Sequence, residues 1–210
     1  GSGKTSLLEA IHLLSYGKSF KTHKQKELIK NGLHSYIVRG TFKKNNSTDK
    51  VDTECGTGGA QKTKINGKLI SSRKEQVGRN PVVILSPEEQ EITKGGPSQR
   101  RSFFDRVFSV VNKEYLNTLQ SFFRLLKQRN ASLIRIREGK AGIGEIYGWD
   151  EQIVGVASSL LFQRVLMIEK FKESLFYIQS KYDINVDVEI SYKPNIKEPL
   201  DYKQTLLTTQ

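Results

Sequence analysis

A single cysteine, Cys55, leaves the chain no internal disulfide and fits a reducing, cytoplasmic compartment. Only three histidines occur, His12, His23 and His34, and none has metal-ligand spacing. No continuous apolar run reaches the ~20 residues that a membrane-spanning helix needs, and no signal peptide is visible. Disulfide-stapled scaffolds, zinc modules and membrane spans are therefore not expected. Acidic residues are also scarce. The 210 residues include 34 Lys or Arg but only 22 Asp or Glu, a net charge of +12. The shortage is local. Residues 1–50 hold ten basic side chains against three acidic, and residues 94–140 hold eleven against three. Residues 51–93 are balanced, and residues 141–210 reverse the sign with seven against ten. Two basic blocks and an acidic tail suggest a polyanionic partner, and nucleic acid is the commonest one. A solvated basic surface with no specific partner would give the same counts.

What is present begins at the first residue. Gly1-Ser2-Gly3-Lys4-Thr5-Ser6 matches the back half of the phosphate-binding pattern G-x-x-x-x-G-K-[ST]. Leu7, Leu8, Ile11 and Leu14 follow at helical spacing. A glycine-rich loop opening into a helix is the context this chemistry needs. Backbone N–H groups and the positive helix end face the phosphates. Lys4 supplies a point charge for the β- and γ-phosphates of ATP, and the Thr5 hydroxyl is the expected Mg²⁺ ligand. Gly1 to Ser6 are thus the expected nucleotide-binding residues. The front half of the pattern and the strand before it are missing, so the chain reads as a segment of a larger protein. If Gly1-Ser2 matches by accident, a nucleotide-independent interaction module remains open.

Along the chain, helix 1 is expected from about Thr5 to Tyr16, ending at Gly17. Strands are expected over Ser35 to Phe42, near Lys50 to Glu54, and over Lys62 to Ile65 and Lys68 to Ile70 around the hairpin signal Asn66-Gly67. Val82 to Leu85 read as a strand buried on both faces, stopped at Pro87. Gly95-Gly96-Pro97 read as a linker, with Ser98 as the N-cap of a helix lined by Phe103, Phe104, Val107, Phe108 and Val111. A second stripe runs from Tyr115 to Leu126, and a long helix from about Asp150 to Ser180. Val186, Val188, Ile190 and Tyr192 alternate with polar residues as in a half-buried strand. The expected fold is α/β (α+β), in the order nucleotide loop and helix, antiparallel β region, helical arm and strand. Its divisions are an incomplete nucleotide-binding lobe at 1–96, a helical arm at 97–182 and a strand at 183–210.

Several stretches in this order resemble the RecF family of bacterial recombination mediators, whose heads belong with the SMC and ABC-type ATPases. They are the phosphate loop, Gly17 to Thr22, Ser86 to Glu89, and Lys94 to Pro97 with Arg100 to Asp105. Further on come Leu126-Lys127-Gln128-Arg129-Asn130-Ala131 and Trp149-Asp150-Glu151-Gln152. The last two are far more selective than the phosphate loop. The resemblance implies ATP-dependent DNA binding in replication and recombinational repair, head-to-head homodimerisation, and recombinase loading at DNA gaps with RecO and RecR. It also implies a P-loop ABC/SMC-type ATPase head piece with an inserted helical arm, residues 183–210 returning toward the ATPase lobe, in a cytoplasmic, nucleoid-associated protein.

The resemblance also suggests nucleotide contacts at Lys18, Lys21 and Thr22, and a Mg²⁺-sensing position near Glu88 and Gln90. A solvated basic loop and a plain strand-ending turn are the alternatives. Arg100 and Arg101 are candidate DNA contacts, or basic residues flanking the apolar face of the arm's first helix; Lys127 and Arg129 are candidate DNA contacts, or basic residues that the dipole favours near a helix C-terminus. The sequence departs from the family in having Gln90 where leucine is usual. It also lacks the Leu-Ser-x-Gly-Gln signature and the acidic Walker B strand. A weak DNA-dependent ATPase is expected of an intact protein, and no turnover and no catalytic residue of this segment. A P-loop kinase or phosphotransferase is the competing enzyme class, and the antiparallel insert and long arm argue against it.

Overall fold

The computed structural model describes residues 3–44, 46–84 and 94–194. The chain forms two compact units, Gly1–Val111 and Asn112–Gln210.

In the first unit, helix α1 spans Lys4–Tyr16 and closes on Gly17. Gly17 adopts φ 64°, a left-handed conformation that glycine reaches without steric cost, and its N–H caps the Leu13 carbonyl at 2.8 Å. Four strands follow as an antiparallel meander in the order β1-β2-β3-β4. They are β1 Ser35–Lys44, β2 Ser47–Gly56, β3 Gln61–Ile65 and β4 Lys68–Leu69. β1 and β2 pair from Ser35↔Gly56 to Lys44↔Ser47, so both run deeper into the polar tip than the sequence suggests. Asn66 and Gly67 turn β3 into β4 with φ 52° and 82°, the pair of positive values that the tightest hairpin turn demands.

Period-two alternation gives the sheet one apolar face. Val51 and Ile65 are buried there, with Val38, Phe42 and Ile70 packed beside them, and Leu14 of α1 closes the cluster. Burying each aliphatic side chain contributes about 1.5–3 kcal/mol. Gly40 lets the helix come this close, since a Cβ there would meet Leu14 Cδ1 at 2.5 Å. The sheet covers only the later turns of α1. Leu7 and Leu8, expected on the buried stripe, are exposed, whereas Leu13 and Leu14 are buried.

The Gln76 side chain, itself buried, donates to the carbonyls of Leu13 and Leu14 at 3.1 and 2.6 Å. It follows a short 3-10 turn, Arg73–Glu75, opened by a capping box between Ser72 and Glu75. Asp49 accepts two hydrogen bonds from Arg79, at 2.9 and 2.8 Å, and one from Asn66 at 3.2 Å. Helix α2 spans Pro97–Val111 and buries Phe108.

The second unit pairs α3, Lys113–Arg137, with α4, Gly144–Lys181. Asn112 caps α3, its Oδ1 accepting from the Tyr115 N–H at 3.0 Å. Tyr115, Leu116, Leu119 and Leu125 of α3 are buried, as are Ile146, Ile153, Leu160 and Ile168 of α4. By length and composition alone, α4 is apolar enough to cross a membrane, contrary to the expectation of no such run. Ile146, Ile153, Leu160 and Ile168 face the unit's core, whereas Phe162, Val165, Leu166 and Phe176 are exposed.

Four expectations are corrected. Residues 82–84 form no strand, and Val83 is 93% exposed. A strand buried on both faces needs ladder partners, and among the described residues none pairs here. Instead the Tyr16 hydroxyl donates to the Val82 carbonyl at 2.7 Å and accepts from its N–H at 3.2 Å. Residues 186–192 alternate in the sequence but form no strand, and Val186 and Val188 are exposed. Ser98 lies inside the first turn of α2 rather than at its cap. The helix starts on Pro97, which has no N–H to satisfy, and the Gln99 side chain accepts from the Gly96 N–H at 2.7 Å. Finally, α2 belongs to the first compact unit, whereas the sequence places it with the arm.

Candidate nucleotide-binding site

Gly3 adopts φ 73°, ψ 0° at the N-cap of α1, and its carbonyl accepts the Leu7 N–H at 3.0 Å. A Cβ there would touch nothing within 4 Å, so the backbone conformation rather than crowding makes glycine the fitting residue. Lys4, Thr5 and Ser6 form the exposed first turn. No acidic residue lies in that turn, so the positive end of the helix dipole is not neutralised by its own side chains. Exposed first-turn amides, a lysine and a threonine hydroxyl can together receive a polyphosphate. Gly1 and Ser2 lie outside the described residues.

The loop after α1 folds back on that helix. His12 Nδ1–H donates to the Lys18 carbonyl at 2.8 Å, and the His12 ring packs edge-on against Phe20. Ser19 is buried. Its hydroxyl donates to Glu9 Oε1 and accepts the N–H groups of Lys21 and Thr22 at 2.9 and 3.2 Å. Lys21 Nζ lies 3.6 Å from the other Glu9 oxygen, Oε2. The Thr22 hydroxyl donates to Glu27, which holds that carboxyl below its usual range. Of the secondary nucleotide candidates, Lys18 and Lys21 are thus exposed cations on an ordered loop, and Thr22 is engaged locally. Gln90 and Glu88 lie outside the described residues.

Sequence reasoning missed Glu9, Ser19 and Gln76. For Glu9 a signal exists: it follows Thr5 by four residues, which puts both on one helix face. Ser19 and Gln76 carry no local signature, because their roles depend on the loop and the turn closing on α1.

The candidate DNA contacts divide. Arg100, Arg101 and Lys127 are exposed. Arg129 is corrected: it is 5% exposed, and its Nε donates to Asp150 Oδ1, itself buried, at 2.5 Å. A guanidinium committed inside the helix pair has no surface to offer a phosphate. The two most selective motifs therefore meet in space. Trp149 Nε1 donates to Ser132 Oγ at 3.1 Å, and Ser132 donates to Glu145 at 2.8 Å. Among the described residues no group of three or more His, Cys, Asp or Glu is placed to hold a metal ion.

No protein-family model matches the chain. The DNA replication and repair protein RecF of Leptospira interrogans serovar Lai is 32% identical over 98% of this chain, which spans 56% of that relative. RecF of a Thermoanaerobacter species is 39% identical over 77% of the chain and 44% of the relative. The chain thus spans about half the length of the curated relatives it matches. A solved structure of the recombination mediator RecF with ATPγS, in the RecFOR pathway, matches all of the chain at TM-score 0.84 and 31% identity, over 58% of that structure. The corresponding RecF–ATP structure matches 99% of the chain at TM-score 0.81 and 30% identity, again over 58% of that structure.

Proposed function

The chain is RecF-type in sequence over 98% of its length and has the fold of a RecF ATPase head, and on that premise we propose that it binds ATP and DNA in replication and recombinational repair. The observation that carries this reading is the left-handed Gly3 cap with Lys4 and Thr5 exposed on the first turn of α1. Lys4 would meet the β- and γ-phosphates, and the first-turn amides would meet their remaining oxygens. The Thr5 hydroxyl would ligate Mg²⁺, which supplies the positive charge that offsets the phosphates. Gly1, Ser2 and Ser6 complete the loop in this reading, and Lys18 and Lys21 stand on the ordered loop that follows α1.

The basic excess over residues 94–140 supports contact with DNA, through Arg100, Arg101 and Lys127. Position in the family further supports an ATP-dependent homodimer, with RecO and RecR as partners at DNA gaps, and a cytoplasmic, nucleoid-associated location. Hydrolysis is a weak activity of the full-length protein. It requires carboxylates that hold Mg²⁺ and place the attacking water.

The test is Lys4→Ala in the chain carried to the full length of its relatives. Tight ATP binding should be lost, by about a hundredfold or more, because removing a charge-assisted contact to phosphate costs on the order of 3 kcal/mol. Equal ATP affinity of the variant and the unmodified protein in a titration would refute the assignment.

A further inference from the structure

We propose that Glu9 is a positioning residue of the nucleotide site, and that it parks the Lys21 ammonium until a triphosphate draws it away. The proposal rests on the nucleotide reading above and adds a device to it.

Glu9 is the one acidic residue of α1, four residues after Thr5 and therefore on the same face, about 6 Å further along the axis. Its side chain is 14% exposed, and its two oxygens do different work. Oε1 takes the hydroxyl of buried Ser19. That hydroxyl in turn accepts the amides of Lys21 and Thr22, so one carboxylate oxygen fixes where the loop lies against the helix. Oε2 faces Lys21 Nζ at 3.6 Å, too long for a hydrogen bond, and the lysine side chain is 47% exposed. The first contact belongs to a buried polar joint. The second is a loose ion pair between partly hydrated groups, which is weak and exchangeable. A flexible four-carbon stem lets the ammonium move while the Lys21 backbone stays tied to Ser19. A triphosphate at the first turn of α1 carries several negative charges and outcompetes a single carboxylate for that cation.

The experiment compares ATPγS and ADP titrations, with Mg²⁺ present, for four forms of the full-length protein: unmodified, Glu9→Gln, Lys21→Ala, and the double variant. Glutamine at position 9 keeps an oxygen for Ser19 but gives up the charge that holds Lys21. Glu9→Gln should therefore tighten ATPγS binding about two- to fivefold and ADP binding less. Lys21→Ala should weaken ATPγS binding, and in its background the Glu9→Gln gain should vanish. A purely structural role for Glu9 would not produce this dependence on Lys21. Unchanged affinity in Glu9→Gln overturns the proposal, and so does a gain that persists without Lys21, which would be a general field effect. If the unmodified protein shows no Lys4-dependent ATP binding, the nucleotide assignment falls and the proposal with it. Lys4-dependent binding with a flat response at Glu9 removes the proposal alone.

Discussion

Asp49 shows how one side chain can hold a strand, a hairpin and a loop together. It accepts from Arg79 twice and from Asn66 once, and these bonds pull its carboxyl below the ordinary carboxylate range despite burial. Because the folded value is lowered, its stabilising effect is fully present above the unfolded value near 3.8. The effect fades as pH falls through the folded value. Asp49→Asn should therefore cost about 1–2 kcal/mol near neutral pH, since hydrogen bonds to a charged group are lost and the arginine partner is partly exposed. The difference in urea midpoint between variant and unmodified protein should shrink steadily below pH 4. Identical midpoints at pH 7 would show the cluster to be neutral. Tyr36 bounds the other end of the scale. Burial first, then the neighbouring Cys55, pushes its hydroxyl up to about 12. The neutral form is favoured in the fold, so this increment is present below pH 10 and lost as pH rises from 10 toward 12.

Between elements, the α3–α4 pairing rests partly on the buried Arg129–Asp150 bridge. Removing one partner leaves a desolvated charge alone, so Arg129→Ala should destabilise this helix pair by about 3–5 kcal/mol. Replacing both together, Arg129→Met with Asp150→Leu, should recover most of that loss. Thermal unfolding of the full-length protein checks both, and a double variant no better than Arg129→Ala would show that the pair has a role beyond charge balance. The contrast with Arg100 explains what the sequence could reveal. The end of α1 and the hairpin were legible because their signals are local: Gly17 stops α1 and Asn66-Gly67 sets a turn. Arg129 was read as a candidate DNA contact because it stands in a basic stretch, and only its meeting with Asp150, 21 residues away, shows that it is buried. Val82–Ile84 and Val186–Tyr192 have strand composition, but a strand exists only through its ladder neighbours, which composition does not specify. The glycine ahead of Lys4 foreshadowed a left-handed turn into α1, whereas the Glu9–Ser19 joint required a loop ten residues on to close against that helix.

For the molecule as a whole, the distribution of charge matters more than its total. Residues 94–140 carry eleven basic against three acidic side chains, with Arg100 and Arg101 exposed near the start of α2. Each phosphate neutralised on duplex DNA releases counterions and contributes about −0.9 to the log–log salt slope. Changing Arg100 and Arg101 together to Ala in the full-length protein should weaken duplex binding similarly for unrelated sequences. It should also reduce the magnitude of the slope by about two units. A salt series with ATP present measures this. An unchanged affinity and slope would move the DNA contacts elsewhere, with the basic residues 18–44 as the next place to look.

The grip of Gln76 on the end of α1 has a mechanical consequence. The helix is built in at one end, where Gln76 holds the Leu13 and Leu14 carbonyls, Gly17 caps the last turn and Tyr16 grips Val82. Its other end, at Gly3, is exposed. The rod is about 20 Å long, and the Ser19 contact to Glu9 braces it part-way along. A load applied at the tip becomes a bending moment at the root. The root is the Arg73–Glu75 turn and its capping box, more than fifty residues from the tip in sequence and one rod's length away in space.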